Sequence, residues 1–284
     1  MRRDGRPPSE NSGEASDGAG FRTHGERWEL IRGRCEDVLP ALPAALFDAC
    51  IADPPYGLGI ASWDFDVPGP DVWDEVLRVM KPGAWMPVFA GRRNYDLVAG
   101  AIRAAGFVIV DMGIWVFRNG SRPPSRNHLR PAHEGIVIAR APGKPIAVNR
   151  DAGRVPWRDE EDKRQASRVD ALRAAGKRKA LYEVSLDAYG KEPFAANDNG
   201  RVPCTVMVTG EDDVLGDDTF VWRVPVVRNS AGHKCAKPPE LLRQLVAMFV
   251  PEGGVMLDPF AGAGTVGPIV EEMGRRAVLI EAAK

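Results

Sequence analysis

Nowhere in its 284 residues does the chain hold the ~18–20 consecutive apolar residues that a membrane-spanning helix needs. The start is charged and rich in Gly and Ser with no apolar h-region, so no secretory signal is expected. Cysteine is scarce: Cys35, Cys50, Cys204 and Cys235 are scattered, with no C-x-x-C pair. That speaks against a zinc ribbon or a disulfide framework and fits a reducing compartment, so a cytoplasmic protein with no membrane association is expected. Of the four histidines none stands four residues from another, and no metal site is expected. Internal repeats and low-complexity tracts are also missing.

Net charge is nearly absent too, at −1, but the balance is uneven. Arg118 through Lys179 holds sixteen Lys/Arg against seven Asp/Glu, a local +9 that leaves −10 for the remainder. A basic segment on an acidic body is what a phosphate-binding surface requires, although a solvated, salt-bridged face would read the same way.

The hydrophobic share of 44% supports a real core, and the length suits one large α/β domain with an insert. Residues 1–25 read as a disordered tail. Beyond them, short apolar runs alternate with amphipathic stretches, the mark of an α/β sheet. Strands are predicted at Trp28–Arg32, Phe47–Ala52, Ala84–Phe89, Phe107–Phe117, Gly135–Arg140, Val255–Leu257 and Arg276–Ile280. Helices are predicted at Asp71–Met80, closed by Lys81-Pro82-Gly83, at Tyr95–Ala105, stopped by Gly106, and at Pro239–Phe249. The last sets Leu241, Leu242, Leu245, Val246 and Phe249 on one apolar face, which marks core. Residues 141–228 lose the alternation and carry Pro, Arg and acidic clusters, with a helix expected from about Asp159 to Leu181. They read as an insert between residues 26–140 and 229–284, two parts of one sheet domain. Trp85, Phe89 and Trp115 are expected in the core, and His133 in a hairpin.

Two clusters carry chemistry. Asp53-Pro54-Pro55-Tyr56-Gly57 follows the apolar run Ala49–Ala52, which puts an acceptor-rich turn at the carboxyl edge of a sheet. The prolines stiffen the turn and leave carbonyl oxygens free to accept. An exocyclic amine of adenine or cytosine is a poor nucleophile because its lone pair is delocalised into the ring. Accepting its two hydrogens, at the Asp53 carboxylate and the Pro54 carbonyl, favours the pyramidal nitrogen that can attack a methyl group. Tyr56 is placed to stack on the base.

The second cluster, Leu257-Asp258-Pro259-Phe260-Ala261-Gly262-Ala263-Gly264-Thr265, reads as strand, glycine-rich turn and helix. Gly262 and Gly264 allow a ligand close to the backbone. Glu281 ends the next strand, where an acid reading ribose hydroxyls is expected. No G-K-[ST] follows the glycines, so nucleoside triphosphates are disfavoured.

In this order the clusters resemble the permuted, beta-group DNA amino-methyltransferases, in which the catalytic motif precedes the cofactor motif. Trp63-Asp64, Arg78-Val79-Met80-Lys81-Pro82-Gly83, Gly113-Ile114-Trp115, His133-Glu134 and His233-Lys234-Cys235-Ala236-Lys237-Pro238 add to the resemblance. One departure is Gly33-Arg34, where that family usually has Gly-Asp. The resemblance implies a Rossmann-like sheet that binds S-adenosylmethionine, uses no metal, and acts on a base flipped out of double-stranded DNA. It implies Asp53, Pro54, Pro55 and Tyr56 as the catalytic turn. Asp258, Phe260, Gly262, Gly264, Thr265, Glu281 and Lys237 would line the cofactor. The insert would recognise the target, with Arg122, Arg126, Arg164 and Arg168 on DNA. Adenine N6 is the favoured acceptor and cytosine N4 the alternative. RNA or protein-glutamine methyltransferases usually place the cofactor motif first. A non-catalytic DNA-binding protein on a degenerate scaffold is the rival of another class.

Overall fold

The computed structural model describes residues 22–59, 64, 66–117, 132–154, 156–157, 159–161, 163–164, 198, 200, 206–209, 222–224 and 237–282. In chain order these give β1 (Arg22–His24), β2 (Trp28–Arg32), α1 (Cys35–Val38), a 3-10 turn (Leu39–Ala41), β3 (Phe47–Cys50), α2 (Pro70–Val79), β4 (Met80–Ala90), α3 (Tyr95–Ala104), β5 (Val108–Phe117) and β6 (His133–Arg140). A second 3-10 turn (Arg150–Gly153), β7 (Val206–Thr209), β8 (Trp222–Val224), α4 (Pro239–Phe249), β9 (Val255–Asp258), α5 (Val266–Glu272) and β10 (Arg276–Glu281) complete them. The strands form one sheet of ten in the order β1-β2-β10-β9-β3-β4-β6-β5-β7-β8. From β2 to β4 the neighbours run parallel, and β6 enters antiparallel between β4 and β5.

Both faces of the parallel part are covered, which is why Ala49–Ala52, Val255–Leu257 and Ala277–Ile280 read as continuous apolar runs. Alternation over Ala49–Ala52 sorts side chains between two layers, and a register shift between Phe47 and Ala49 puts Phe47 on the Cys50 side. Phe47 and Cys50 of β3 join α2 and α3 on one face, with Trp73, Val76, Val79, Val98 and Ile102. Ala49 and Ile51 join α4 and α5 on the other, with Leu241, Leu245, Val246, Ile269 and Val270. Phe89 is fully buried, and Trp85 and Trp115 pack half-buried against the second layer, so all three serve the core.

The elements follow local chemistry. Helix α2 has Pro70 in its first turn, Asp71 near its amino end and Arg78 in its last turn, each suited to its place. Gly106, at φ +93°, ends α3 as expected. Most boundaries shift by one or two residues from the reading of the sequence, and two differ by more. Lys81-Pro82-Gly83 lies within β4 rather than closing α2, because Met80 already pairs with Phe47 and Gly83 sits at φ +78° against the backbone of Lys144, where a Cβ could not fit. The expected tail ends early: Arg22–His24 pairs antiparallel with β2. Of the helix expected from Asp159, residues Glu160, Glu161, Lys163 and Arg164 are helical, and the part from 165 on lies outside the described residues.

The topology makes the crevice. β3 and β9 are adjacent and parallel although some two hundred residues separate them. From β3 the chain crosses through α2 on one face to β4; from β9 it crosses through α5 on the other face to β10. The two carboxyl ends therefore diverge, and a cleft opens between them at the switch point where open α/β sheets bind ligands. Asp48 pins this junction from below, accepting from Lys81 Nζ (2.6 Å) and the Val255 N–H (2.9 Å).

Candidate active site

Asp53 stands three residues beyond β3, and Asp258 is the last residue of β9. The turn between Asp53 and Leu58 is held by Asp64, which is buried at 1% exposure. One Asp64 oxygen accepts from the N–H groups of Tyr56 (2.7 Å) and Gly57 (2.9 Å), and the other from Leu58 (3.1 Å). Asn94 donates its side-chain amide to the Tyr56 carbonyl. Gly91 lies against the Tyr56 ring, so close that an added Cβ would fall 3.1 Å from it. A Pro-Pro turn has too few N–H groups to fold on itself; the buried acid supplies the missing order.

Tyr56 donates its hydroxyl to Asp53 (2.7 Å) and approaches Glu134 of β6 at 3.4 Å. Burial first, then the charges of Asp53 and Glu134, push this hydroxyl well above its ordinary range, so it stays a donor. Lys237, just before α4, reaches both Asp53 oxygens at 2.8 and 2.7 Å, the Tyr56 oxygen at 3.0 Å and Glu134 at 3.3 Å. Its ammonium also lies 4.8 Å from the Phe89 ring centre and 5.3 Å from that of Tyr56. Burial alone would lower the Lys237 pKa; Asp53 and Glu134 outweigh it and hold the group above its usual value, charged. The reading from sequence put Lys237 with the cofactor and passed over Glu134 as part of a hairpin. In the fold the Lys237 ammonium lies against the Asp53–Tyr56 turn and Glu134, a set of contacts that the reading from sequence did not include. The His-Glu and Lys-Pro motifs were visible in sequence; only the fold shows that their charged members meet.

Across the cleft, the Phe260 N–H donates to Asp258 (3.0 Å) and the Gly262 N–H to Glu281 (2.7 Å). Gly262 (φ +55°) and Gly264 (φ +74°) adopt the left-handed backbone that glycine alone takes freely, and the space above Gly262 is open. Phe260 is half-buried, its ring 6.0 Å edge-on from Trp73. Thr265 precedes α5 and makes no side-chain cap. Burial chiefly pushes the Asp258 carboxyl up to about 8; the Phe260 N–H opposes this, and the charges of Asp53 and Glu281 add to it. Cys50 beneath is fully buried, and burial with the charge of Asp258 drives its thiol well above the ordinary value, so it is no nucleophile. Arg34, the departure from the resemblance, is exposed and pairs with Glu36 at 2.9 Å.

Asp53, Pro54, Pro55, Tyr56 and Lys237 thus gather on one side of the cleft, and Asp258, Phe260, Gly262, Gly264, Thr265 and Glu281 on the other. Arg164 lies apart and exposed, paired with Glu161 at 2.7 Å. Arg122, Arg126 and Arg168 lie outside the described residues. Among the described residues no group of three or more His, Cys, Asp or Glu could hold a metal, and no helix is long and apolar enough to cross a membrane.

A doubly covered sheet with an antiparallel strand between β4 and β5, an Asp-Pro-Pro-Tyr turn and a neighbouring glycine-rich turn defines an amino-methyltransferase of the Rossmann-like type. The family profile for DNA methylases, the N6/N4 methyltransferases, matches residues 47–284, and the chain belongs to that family. It is therefore an S-adenosylmethionine-dependent DNA methyltransferase of the adenine-N6 or cytosine-N4 class. The DNA adenine methyltransferase YhdJ of Escherichia coli K12 is 25% identical over 265 residues, 89% of this chain and 77% of the relative. Among solved structures, the PvuII DNA methyltransferase (cytosine-N4-specific) has a TM-score of 0.56 at 13% identity, covering 92% of this chain and 83% of that one. M1.HpyAVI, solved in complex with S-adenosylmethionine, has a TM-score of 0.52 at 15% identity and covers 90% and 93%. These two likenesses establish the fold.

Proposed function

We propose that the chain methylates adenine N6 in double-stranded DNA, with S-adenosylmethionine bound between the ends of β9 and β10. The carrying observation is the meeting of Asp53 with the Asp258–Glu281 side of one switch-point cleft. The residues fit the cofactor. Gly262 leaves open space above the turn, and Asp258 and Glu281 each keep an oxygen that no described residue bonds. Those oxygens suit the ammonium and the ribose hydroxyls of the donor. The donor supplies a methyl group on a cationic sulfur. Asp53 and the Pro54 carbonyl accept the hydrogens of the target amine and expose its lone pair; Tyr56 offers its ring to the flipped base. The Asp-Pro-Pro-Tyr form and the adenine-methylating relative favour adenine over cytosine.

The basic stretch from Arg118 to Lys179 is proposed to meet DNA phosphates, with Arg122, Arg126, Arg164 and Arg168 among the contacts. Expression in a host without amino-methylated DNA, followed by modification-sensitive sequencing, tests the proposal. N6-methyladenine at one recurring sequence is expected. N4-methylcytosine there would move the assignment to the other base, and unmodified DNA would overturn it.

A further inference from the structure

The acceptor that the chemistry asks for is not free. Asp53 is held by two donors, Lys237 and Tyr56, and both donors also reach Glu134. The four groups come from three separate parts of the fold, the turn after β3, the start of β6 and the start of α4. Lys237 is 8% exposed in its side chain, and a buried ammonium is stable only when paired. Two carboxylates on one ammonium leave the cluster with a net −1.

We infer that Lys237 and Glu134 are a positioning pair for methyl transfer: Lys237 fixes the Asp53 carboxylate against the target amine, and Glu134 fixes Lys237 and keeps the cluster negative. The inference rests on the amino-methyltransferase reading. In the reaction a nitrogen–carbon bond forms as the carbon–sulfur bond breaks, so positive charge moves from sulfur onto the nitrogen beside Asp53. The nitrogen then releases its extra proton to solvent. A pre-set negative cluster favours the charge where it arrives and needs no rearrangement at that moment. If Asp53 and Lys237 formed a neutral pair alone, that help would be lost; Glu134 supplies it. Neither residue touches the reacting atoms in this scheme, and each acts through Asp53.

The test is single-turnover methyl transfer to duplex DNA by the full chain, with S-adenosylmethionine affinity and folding measured on the same samples. Lys237→Met should lower the transfer rate by about 10²–10³-fold while cofactor affinity changes little. Lys237→Arg should recover part of the loss. In Lys237→Met, Asp53 and Glu134 face each other across Tyr56, with Asp258 the next acid, and no cation between them. Without that cation the two carboxylates repel, so the acid limb of the rate profile should move to higher pH. Glu134→Gln is the second variant, an isosteric change that leaves Lys237 paired with Asp53 and so spares the fold. It should slow transfer at least about tenfold with the DNA concentration for half-maximal rate nearly unchanged. Wild-type rate and pH profile in either variant would overturn the inference, as would a loss confined to cofactor affinity. Absence of transfer by the wild-type chain would instead overturn the reading on which it rests.

Discussion

The Asp64 carboxylate accepts the backbone N–H of Tyr56 at 2.7 Å, from a position eight residues down the chain and almost fully buried. That bond, with those from Gly57 and Leu58, fixes where Asp53 and Tyr56 stand. Asp64→Ala should therefore strand three N–H groups. A destabilisation of about 1–3 kcal/mol is expected from the partly buried turn. Methyl transfer should fall further than stability alone explains, because the acceptor carboxylate loses its place. Thermal melting and turnover at a temperature where both proteins are folded check this together.

On the other side of the cleft, Phe260→Ala and Glu281→Ala should each weaken S-adenosylmethionine binding by about 5–50-fold, through lost stacking and lost ribose hydrogen bonds. Glu281→Ala also releases the Gly262 N–H, so its effect should be the larger. Calorimetric titration measures both, and unchanged affinity in both would displace the cofactor from this turn.

Asp258 makes a prediction about pH. Its carboxyl is pushed up to about 8, whereas an unfolded Asp releases its proton near ~3.9. Between roughly pH 4 and 8 the folded chain thus holds a proton that the unfolded chain has lost. Stability from this group is fully present below about pH 4 and declines as pH rises to about 8. Asp258→Asn should remove the decline, which melting curves at several pH values between about 5 and 8.5 would show. A cationic donor favours the ionised form, so its binding at about pH 7 should release a proton. Calorimetry in two buffers of different ionisation enthalpy reads that release directly.

The parallel core and its two motifs were legible in the sequence because they obey local rules. Ala49–Ala52 is apolar without a break because the strand is covered on both faces. The ends of β2 and α4 fall where periodicity and turn residues put them. What escaped was non-local. Nothing near Lys237 says that its partner is Asp53, since the meeting depends on β3 lying beside β9. Glu134 looked like part of an ordinary hairpin for the same reason. Strand β1 was missed because Arg22–His24 is short and polar and gains its order from pairing with β2. In the sequence Asp64 shows only as half of a Trp-Asp pair, and its three N–H bonds exist only once the turn is folded.

The basic stretch predicts a salt effect. If residues between Arg118 and Lys179 meet phosphates, log affinity for DNA should fall linearly with log salt. Neutralising Arg164 and Arg168 together should flatten that slope by up to about two units and leave S-adenosylmethionine affinity alone. Arg164 faces solvent and, among the described residues, pairs with Glu161 at 2.7 Å, an exposed pair that it can leave for a phosphate at little cost. An unchanged slope in every neutralised variant would make the stretch an ordinary solvated surface.

The central claim is transfer of a methyl group to an exocyclic nitrogen under the control of Asp53. The most direct measurement incubates the purified protein with duplex DNA and isotopically labelled S-adenosylmethionine, then digests the DNA to nucleosides for mass spectrometry. Asp53→Ala, with cofactor binding verified, runs alongside. Labelled N6-methyldeoxyadenosine is expected from the wild type and none from the variant. Label on a ring carbon, label absent from DNA, or equal label from Asp53→Ala would contradict the central claim.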